Sequence, residues 1–314
     1  MTNIILDLDT GIDDAMALAI AIIDPKINLL GISTTYGNVV TTKSCVNTKY
    51  LLDLFHRNDI PIVKGLDHAL DAKSFFPDKI SREIHGKDGL ANLNLKVEEY
   101  KKEDYEYFVP FYLRMIELYK DDITIVTTGP LTNIAYLIET QPETIEHVSE
   151  IVSMAGAIIF PGNINSEVEA NINQDPKAAK IVMESSVHNT IVPLDVTEKA
   201  RTFRKDLKKW RDHNTEISSL YADLVDYYID QHPMKDECYV HDPSAVIYCS
   251  HKDYFTTIDL NCTVLLDECP GRIVGNLDKI RDVKKYTTLC LDVDADKIDK
   301  FINDSYNSYF DSIQ

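Results

Sequence analysis

Positive charge is scarce in this chain. Its 314 residues carry 32 Lys and Arg against 51 Asp and Glu, a formal net charge of −19. Such a polyanion repels phosphate backbones and anionic bilayers, so neither nucleic acid nor a membrane is expected as a partner. Glycine and proline are few, 11 and 12 residues, which excludes collagen-like and low-complexity chains. Long apolar runs are missing as well. The longest early one, from Ala15 to Ile23, is too short to span a bilayer and ends at Asp24. The opening Met1-Thr2-Asn3-Ile4 lacks the basic and apolar regions of a signal peptide. No two of the six cysteines are spaced as C-x-x-C, so a zinc ribbon or thioredoxin-type site has no support. Free thiols in a reducing cytoplasm are the expectation. The single tryptophan, Trp210, falls in a polar stretch.

What is present is a 44% apolar chain, long enough to bury a large core. Its pattern repeats strand, loop and helix. Strands are expected at Ile4–Leu8, Ile27–Thr34, Ile62–Lys64, Ile123–Val126, Ile151–Met154 and Thr190–Val192. Helices are expected at Asp13–Ile23, Ser44–Phe55, Tyr105–Tyr119, from Thr132, and at Pro176–Met183. Residues 66–103 read as a long irregular excursion, 203–232 as mostly helical and polar. The tail has β-rich stretches near 262–266 and 287–292, then a helix from about Ala295. This alternation predicts an α/β fold: an open, mostly parallel sheet with helices on both faces, as one domain over 1–314. Ligands of such sheets bind beyond the carboxyl ends of the strands, so polar residues there are the candidates.

The first candidate segment is Asp7-Leu8-Asp9-Thr10-Gly11-Ile12-Asp13-Asp14. Asp7 and Asp9, two apart at a strand end, should face one side. Asp13 and Asp14 follow a glycine turn at a helix start. Four carboxylates in eight residues repel one another, and a hard divalent cation such as Ca²⁺ or Mg²⁺ would relieve this. Ordinary helix-start acids are the plain alternative. The second is Thr127-Thr128-Gly129-Pro130-Leu131-Thr132-Asn133, a turn whose backbone groups face the same sheet end, or simply a well-capped turn. The third is Asn163, Glu169 and Asn171, polar pocket candidates or a solvated loop. His241-Asp242 and His85 complete the set, with capping and packing as their ordinary uses.

Together these segments, with Tyr36-Gly37-Asn38 and His85-Gly86-Lys87-Asp88-Gly89-Leu90, resemble the inosine–uridine-preferring nucleoside hydrolase family, in the family's order over residues 4 to about 250. The resemblance implies a calcium-dependent enzyme that hydrolyses ribonucleosides to free base and ribose with a calcium-bound water. It implies Asp9, Asp14 and Asp242 as carboxylate ligands of Ca²⁺, with the carbonyl of Thr128. Asp13, Asn38, Asn163, Glu169 and Asn171 would bind ribose, and Asp7 would support the ligands. Asp9 would be the base, His241 the acid for the leaving base, and His85 would lie near that base. Met154, where the family usually has a glycine-rich run, would border it as well. Tyr227, Tyr228, His232 and Tyr239 are base-pocket or lid candidates, surface aromatics otherwise. A homodimer or homotetramer is the assembly the family suggests. Two rivals remain: a haloacid-dehalogenase-type phosphatase using Asp7 and Asp9, and a nucleoside-binding protein without turnover.

Overall fold

The strand that opens the chain is buried on both faces. Residues 1–93 and 104–313 are described by a computed structural model; the part of the irregular excursion at 94–103 lies outside them. The first strand, β1 (Thr2–Leu8), sends Ile4, Leu6 and Leu8 into one apolar cluster and Ile5 into another. Alternation along a strand makes this possible. The first cluster holds the helix Ile12–Ile23, whose residues from Ile12 to Ala21 are all buried. The second holds Phe108, Phe111 and Tyr112 of the helix Phe108–Tyr119.

Further strands follow as β2 (Ile27–Thr34), β3 (Ile62–Lys64), β4 (Glu106–Tyr107), β5 (Thr124–Thr127), β6 (Glu150–Met154) and β7 (Asn189–Val192). After them come β8 (Arg201–Phe203), β9 (Glu237–Tyr239), β10 (Phe255–Leu260), β11 (Cys262–Val264), β12 (Ile273–Gly275) and β13 (Thr287–Val293). Among the described residues nine of these form one sheet in the order β10-β13-β7-β6-β5-β1-β2-β3-β4. All its pairs are parallel except β10 with β13. The chain builds outward from β1 through β2, β3 and β4, then returns to set β5 on the other side of β1. The order therefore reverses between β1 and β5, where Asp7 lies opposite Thr127. That reversal opens a crevice at the carboxyl ends of the two strands.

Most expected elements stand where the pattern put them, with ends moved by a few residues. Pro110 sits in the first turn of its helix, where its missing N–H costs little. The excursion contains a short helix, Lys79–Ile84. The stretch 203–232 breaks into helices Arg204–Asp212 and Glu216–Gln231, the second capped by the Thr215 hydroxyl. Strands β10 and β12 were not legible: β10 is an exposed antiparallel edge and β12 has three residues. Trp210 is fully buried and stacks on Tyr306 at 4.6 Å, so its indole is a core residue. All six cysteines are free. Among the described residues no helix is long and apolar enough to cross a membrane.

The expected convergence of Asp7 with the other acids does not occur. β1 ends at Leu8, and Thr10 takes a positive φ of 20° that turns the chain into the helix bearing Asp13 and Asp14. Asp7 accepts hydrogen bonds from Ser33, from Asn133 Nδ2 at 2.8 Å and from Tyr112 at 3.4 Å. Burial pushes its carboxyl up to about 6 despite these donors. Asp7 thus ties together β1, β2 and the helices beginning at Phe108 and Thr132. Replacing Asp7 with Ala should strand these buried donors and destabilise the fold by about 1–3 kcal/mol or more. Urea unfolding should show Asp7→Asn losing clearly less, because one amide oxygen can accept the same donors. Equal losses in both variants would show that the hydrogen bonds are not what Asp7 supplies.

Candidate active site

Beyond the β1–β5 reversal lies a cavity of about 270 Å³. Two helix N-termini meet at its floor, Ile12–Ile23 and His241–Ser250, which pack against each other. Each carries its acids in the first turn, Asp13 and Asp14 in one and Asp242 in the other. Helix dipoles favour negative charge there, and this is how the fold tolerates so many carboxylates together. One carboxylate oxygen from each of Asp13, Asp14 and Asp242 lies within 4.8 Å of the others, and all three residues are buried.

Asp9 sits behind this trio. It accepts from the Asn38 backbone N–H at 2.6 Å and from Asn38 Nδ2 at 3.3 Å, and the same amide reaches Asp14 at 3.1 Å. Asp14 also accepts from Gly11 N–H at 2.8 Å and from the Thr128 hydroxyl at 2.7 Å. The packing needs glycine twice. A Cβ on Gly37 would fall 1.8 Å from Asp9 Oδ2, and one on Gly11 would fall 2.7 Å from both Asn38 and His85. Asp13 takes the Tyr228 hydroxyl at 3.2 Å and lies 3.6 Å from His85.

The electrostatics are those of acids crowded without cations. Burial, reinforced by Asp14, holds the Asp9 carboxyl well above the usual range. Burial, reinforced by Asp13, Asp14 and Asp9, does the same to Asp242. Asp13 and Asp14 are raised by burial too. No lysine or arginine lines the cavity among the described residues. Asp242 Oδ2 is buried with no hydrogen-bond partner among them. An unpartnered carboxylate oxygen beside two further buried carboxylates suits a hard divalent cation, so the donor set fits a metal.

The remaining expected residues divide clearly. Glu169 caps the helix Ala170–Gln174, accepting from the N–H groups of Asn171 at 2.7 Å, Ile172 at 3.2 Å and Gly156 at 2.9 Å. Asn171 Nδ2 donates to the carbonyls of Thr128 at 2.9 Å and Met154 at 3.0 Å. The Thr128 carbonyl therefore has one lone pair in use and one remaining. Met154 is buried at the end of β6 and lines the cavity. Asn163 stands exposed at the rim, its side-chain oxygen taken by the Ala170 N–H at 2.9 Å. Asn38, Asp13, Thr128, Glu169, Asn171, His85, His241 and Asp242 also line the cavity, whereas Asp9 and Asp14 lie beneath it.

The far wall is aromatic. Rings pass in sequence from His85 to Tyr228, His232, Tyr239 and His241, with successive centroids 5.7, 4.5, 5.2 and 5.4 Å apart. Tyr227 is not part of it: its hydroxyl donates to the Glu83 carbonyl at 3.1 Å, outside the cavity. Ile12 N–H donates to His85 Nδ1 at 3.2 Å, leaving Nε2 as the protonated nitrogen of the neutral ring. Burial lowers His85 to about 4 and His241 to about 3, so both rings are neutral near pH 7.

Two contributors were missed in the sequence. In the turn Leu194–Thr197 after β7, Asp195 accepts from three successive N–H groups, Ile158, Ile159 and Phe160, at 2.7–3.0 Å. It fixes the loop leading to Asn163. Thr197 Oγ1 lies 2.8 Å from His241 Nδ1. Their position at a strand's carboxyl end, after Pro193, was the signal available.

Sheet, reversal point and buried acids define an α/β enzyme with a candidate metal centre. The family model "Inosine-uridine preferring nucleoside hydrolase" matches residues 4–300. A probable uridine nucleosidase 2 of Arabidopsis thaliana is 34% identical over 263 residues, covering 81% of this chain and 79% of the relative. A pyrimidine-specific ribonucleoside hydrolase of Salmonella paratyphi B is 32% identical over 262 residues, 82% of each chain. The solved structure of a purine-preferring ribonucleoside hydrolase from Gardnerella vaginalis superposes with a TM-score of 0.94 at 34% identity, covering 100% of both chains. This chain belongs to the inosine-uridine preferring nucleoside hydrolase family. It is a hydrolase of the N-glycosidic bond of ribonucleosides, and the phosphatase and non-catalytic readings fall away. The placement of Asp7 agrees: the would-be phosphatase nucleophile is buried under three donors and does not line this cavity.

If the acid trio is a metal site, divalent cations should stabilise the fold by mass action, about 2.7 kcal/mol at a hundredfold excess over Kd. Calorimetric scans of chelated protein should show the melting temperature rising on calcium addition, and Asp242→Asn should abolish the rise. A melting temperature indifferent to cations would remove the metal from the account.

Proposed function

We propose that the reaction occurs in this cavity with a calcium ion held by Asp9, Asp14, Asp242 and the Thr128 carbonyl. The observation that carries this reading is the buried cluster of Asp13, Asp14 and Asp242, in which one Asp242 oxygen has no hydrogen-bond partner among the described residues. Asp9 joins the set through its contact with Asp14 rather than as part of the tight trio. Oxygen ligands of this hardness favour calcium or magnesium over softer metals. When bound, the ion would acidify and orient a water and align the ribose diol.

The chain's own groups account for the rest. Asp13, Asn38, Asn163, Glu169 and Asn171 present polar atoms along the ribose side of the cavity. The N-glycosidic bond breaks as positive charge grows on the ribose ring, and the surrounding carboxylates and aligned dipoles stabilise that charge. Asp9 takes a proton from the attacking water. His241, neutral with its proton on Nε2, donates a hydrogen bond to the departing base as negative charge grows there, and the base takes its proton from water. The apolar and aromatic side, Met154, His85, Tyr228, His232 and Tyr239, receives the base. The relatives' names divide between uridine, pyrimidine and purine, so the base preference rests on this wall. A homodimer or homotetramer working in the cytoplasm is the setting the family suggests.

A panel of nucleosides assayed for free ribose, with calcium and after chelation, tests the reading. Ribose release should require calcium, and Asp9→Asn should lose about 10²–10⁴ in rate with little change in substrate affinity. Full activity after exhaustive chelation, or an Asp9→Asn variant close to wild type, would contradict it. His241→Ala should slow natural nucleosides by roughly 10² or more and spare a nitrophenyl riboside, whose phenolate leaves without a proton. Equal loss on both substrates would assign His241 to positioning ribose instead.

A further inference from the structure

We propose that Thr197 is a positioning residue for His241: its hydroxyl fixes the imidazole tautomer that leaves Nε2–H available to the departing base. This rests on the reading of His241 as the hydrogen-bond donor to the leaving base, and it assigns a role to a residue that does not itself line the cavity.

Thr197 is fully buried, in the short turn Leu194–Thr197 that follows β7. Among the described residues its Oγ1 has one hydrogen-bond partner, His241 Nδ1 at 2.8 Å. A hydroxyl has a single hydrogen. If Nδ1–H donated to Oγ1, the hydroxyl hydrogen would be left buried without an acceptor, at a cost of about 1–3 kcal/mol. If instead the hydroxyl donates to Nδ1, both groups are satisfied, and the neutral ring must carry its proton on Nε2. The ring wall extends from His241 to Tyr239 at 5.4 Å, so the other side of the imidazole is packed while Nδ1 is held from behind. A neutral imidazole with a bare Nε2 cannot donate; one with Nε2–H can.

The turn is itself held firmly, which makes the device rigid. Leu194 N–H donates to the Gly156 carbonyl at 2.9 Å, and Val240 N–H donates to the Ala200 carbonyl at 3.1 Å. The segment bearing Thr197 and the residue before His241 are therefore joined by backbone as well as by side chain.

Thr197→Val keeps the shape and removes the hydrogen bond. With natural nucleosides it should lower kcat at least tenfold, part of the ~10²–10³ that one transition-state hydrogen-bond donor supplies, while KM changes little. The nitrophenyl riboside should be hydrolysed at the wild-type rate. Thr197→Ser should restore nucleoside turnover. In a His241→Ala background, Thr197→Val should add no further loss, as expected when one residue acts through another. Nitrogen-15 NMR of labelled histidine, with the His241 signal identified by its absence in His241→Ala, should report Nε2–H in wild type and a mixture in Thr197→Val. Equal loss on both substrates, additive loss in the double variant, or unchanged nucleoside turnover in Thr197→Val would overturn the proposal. If His241→Ala itself spares nucleosides, the reading of His241 as donor to the leaving base fails separately. The NMR signature then decides alone, and an unchanged Nε2–H ring in Thr197→Val refutes the positioning.

Discussion

Mutual repulsion among buried carboxylates at the β1–β5 reversal governs this molecule. Asp9, Asp13, Asp14 and Asp242 are taken from water and placed together, with no lysine or arginine among the described residues that line their cavity. Left uncompensated, that arrangement would oppose folding. Two helix N-termini and the donors Asn38, Gly11, Thr128 and Tyr228 offset part of it. A bound cation is the natural remainder. The same crowding of buried oxygens is what suits the site to a hard metal.

The surrounding structure is arranged to hold that crowding in place. Asp7 braces the strand ends from below, and Thr10, at positive φ, turns the chain and locks to Ser44 and Thr48 at 2.8 and 2.7 Å. Gly37 and Gly11 let neighbouring side chains approach the acids closely. Opposite them, the turn after β7 serves two walls at once: Asp195 fixes the loop toward Asn163 and Thr197 holds His241. The rigid sheet supplies the framework, and the strand-end turns supply the chemistry.

Much of this was legible in the sequence because the signals are local. The alternation of apolar strands and helices fixed the parallel core, and acids after a glycine turn marked the site. Asp7 was grouped with the site acids because its spacing shows nothing of its partners Ser33, Tyr112 and Asn133, which come from distant segments. Strand β10 escaped because an exposed edge carries little apolar pattern. Asp195 and Thr197 escaped because their partners, Ile158–Phe160 and His241, are distant in sequence. Side-chain to backbone clamps of that kind leave no periodic trace.

The most direct test of the central claim is a crystal structure grown with calcium, with the ion located by its anomalous signal. The account predicts one ion touching Asp14 and Asp242 at about 2.3–2.6 Å, with the Asp242 oxygen that lacks a protein partner among its ligands. Carboxylates that keep to their protein partners, with no ion among them or with an ion bound elsewhere, would contradict it.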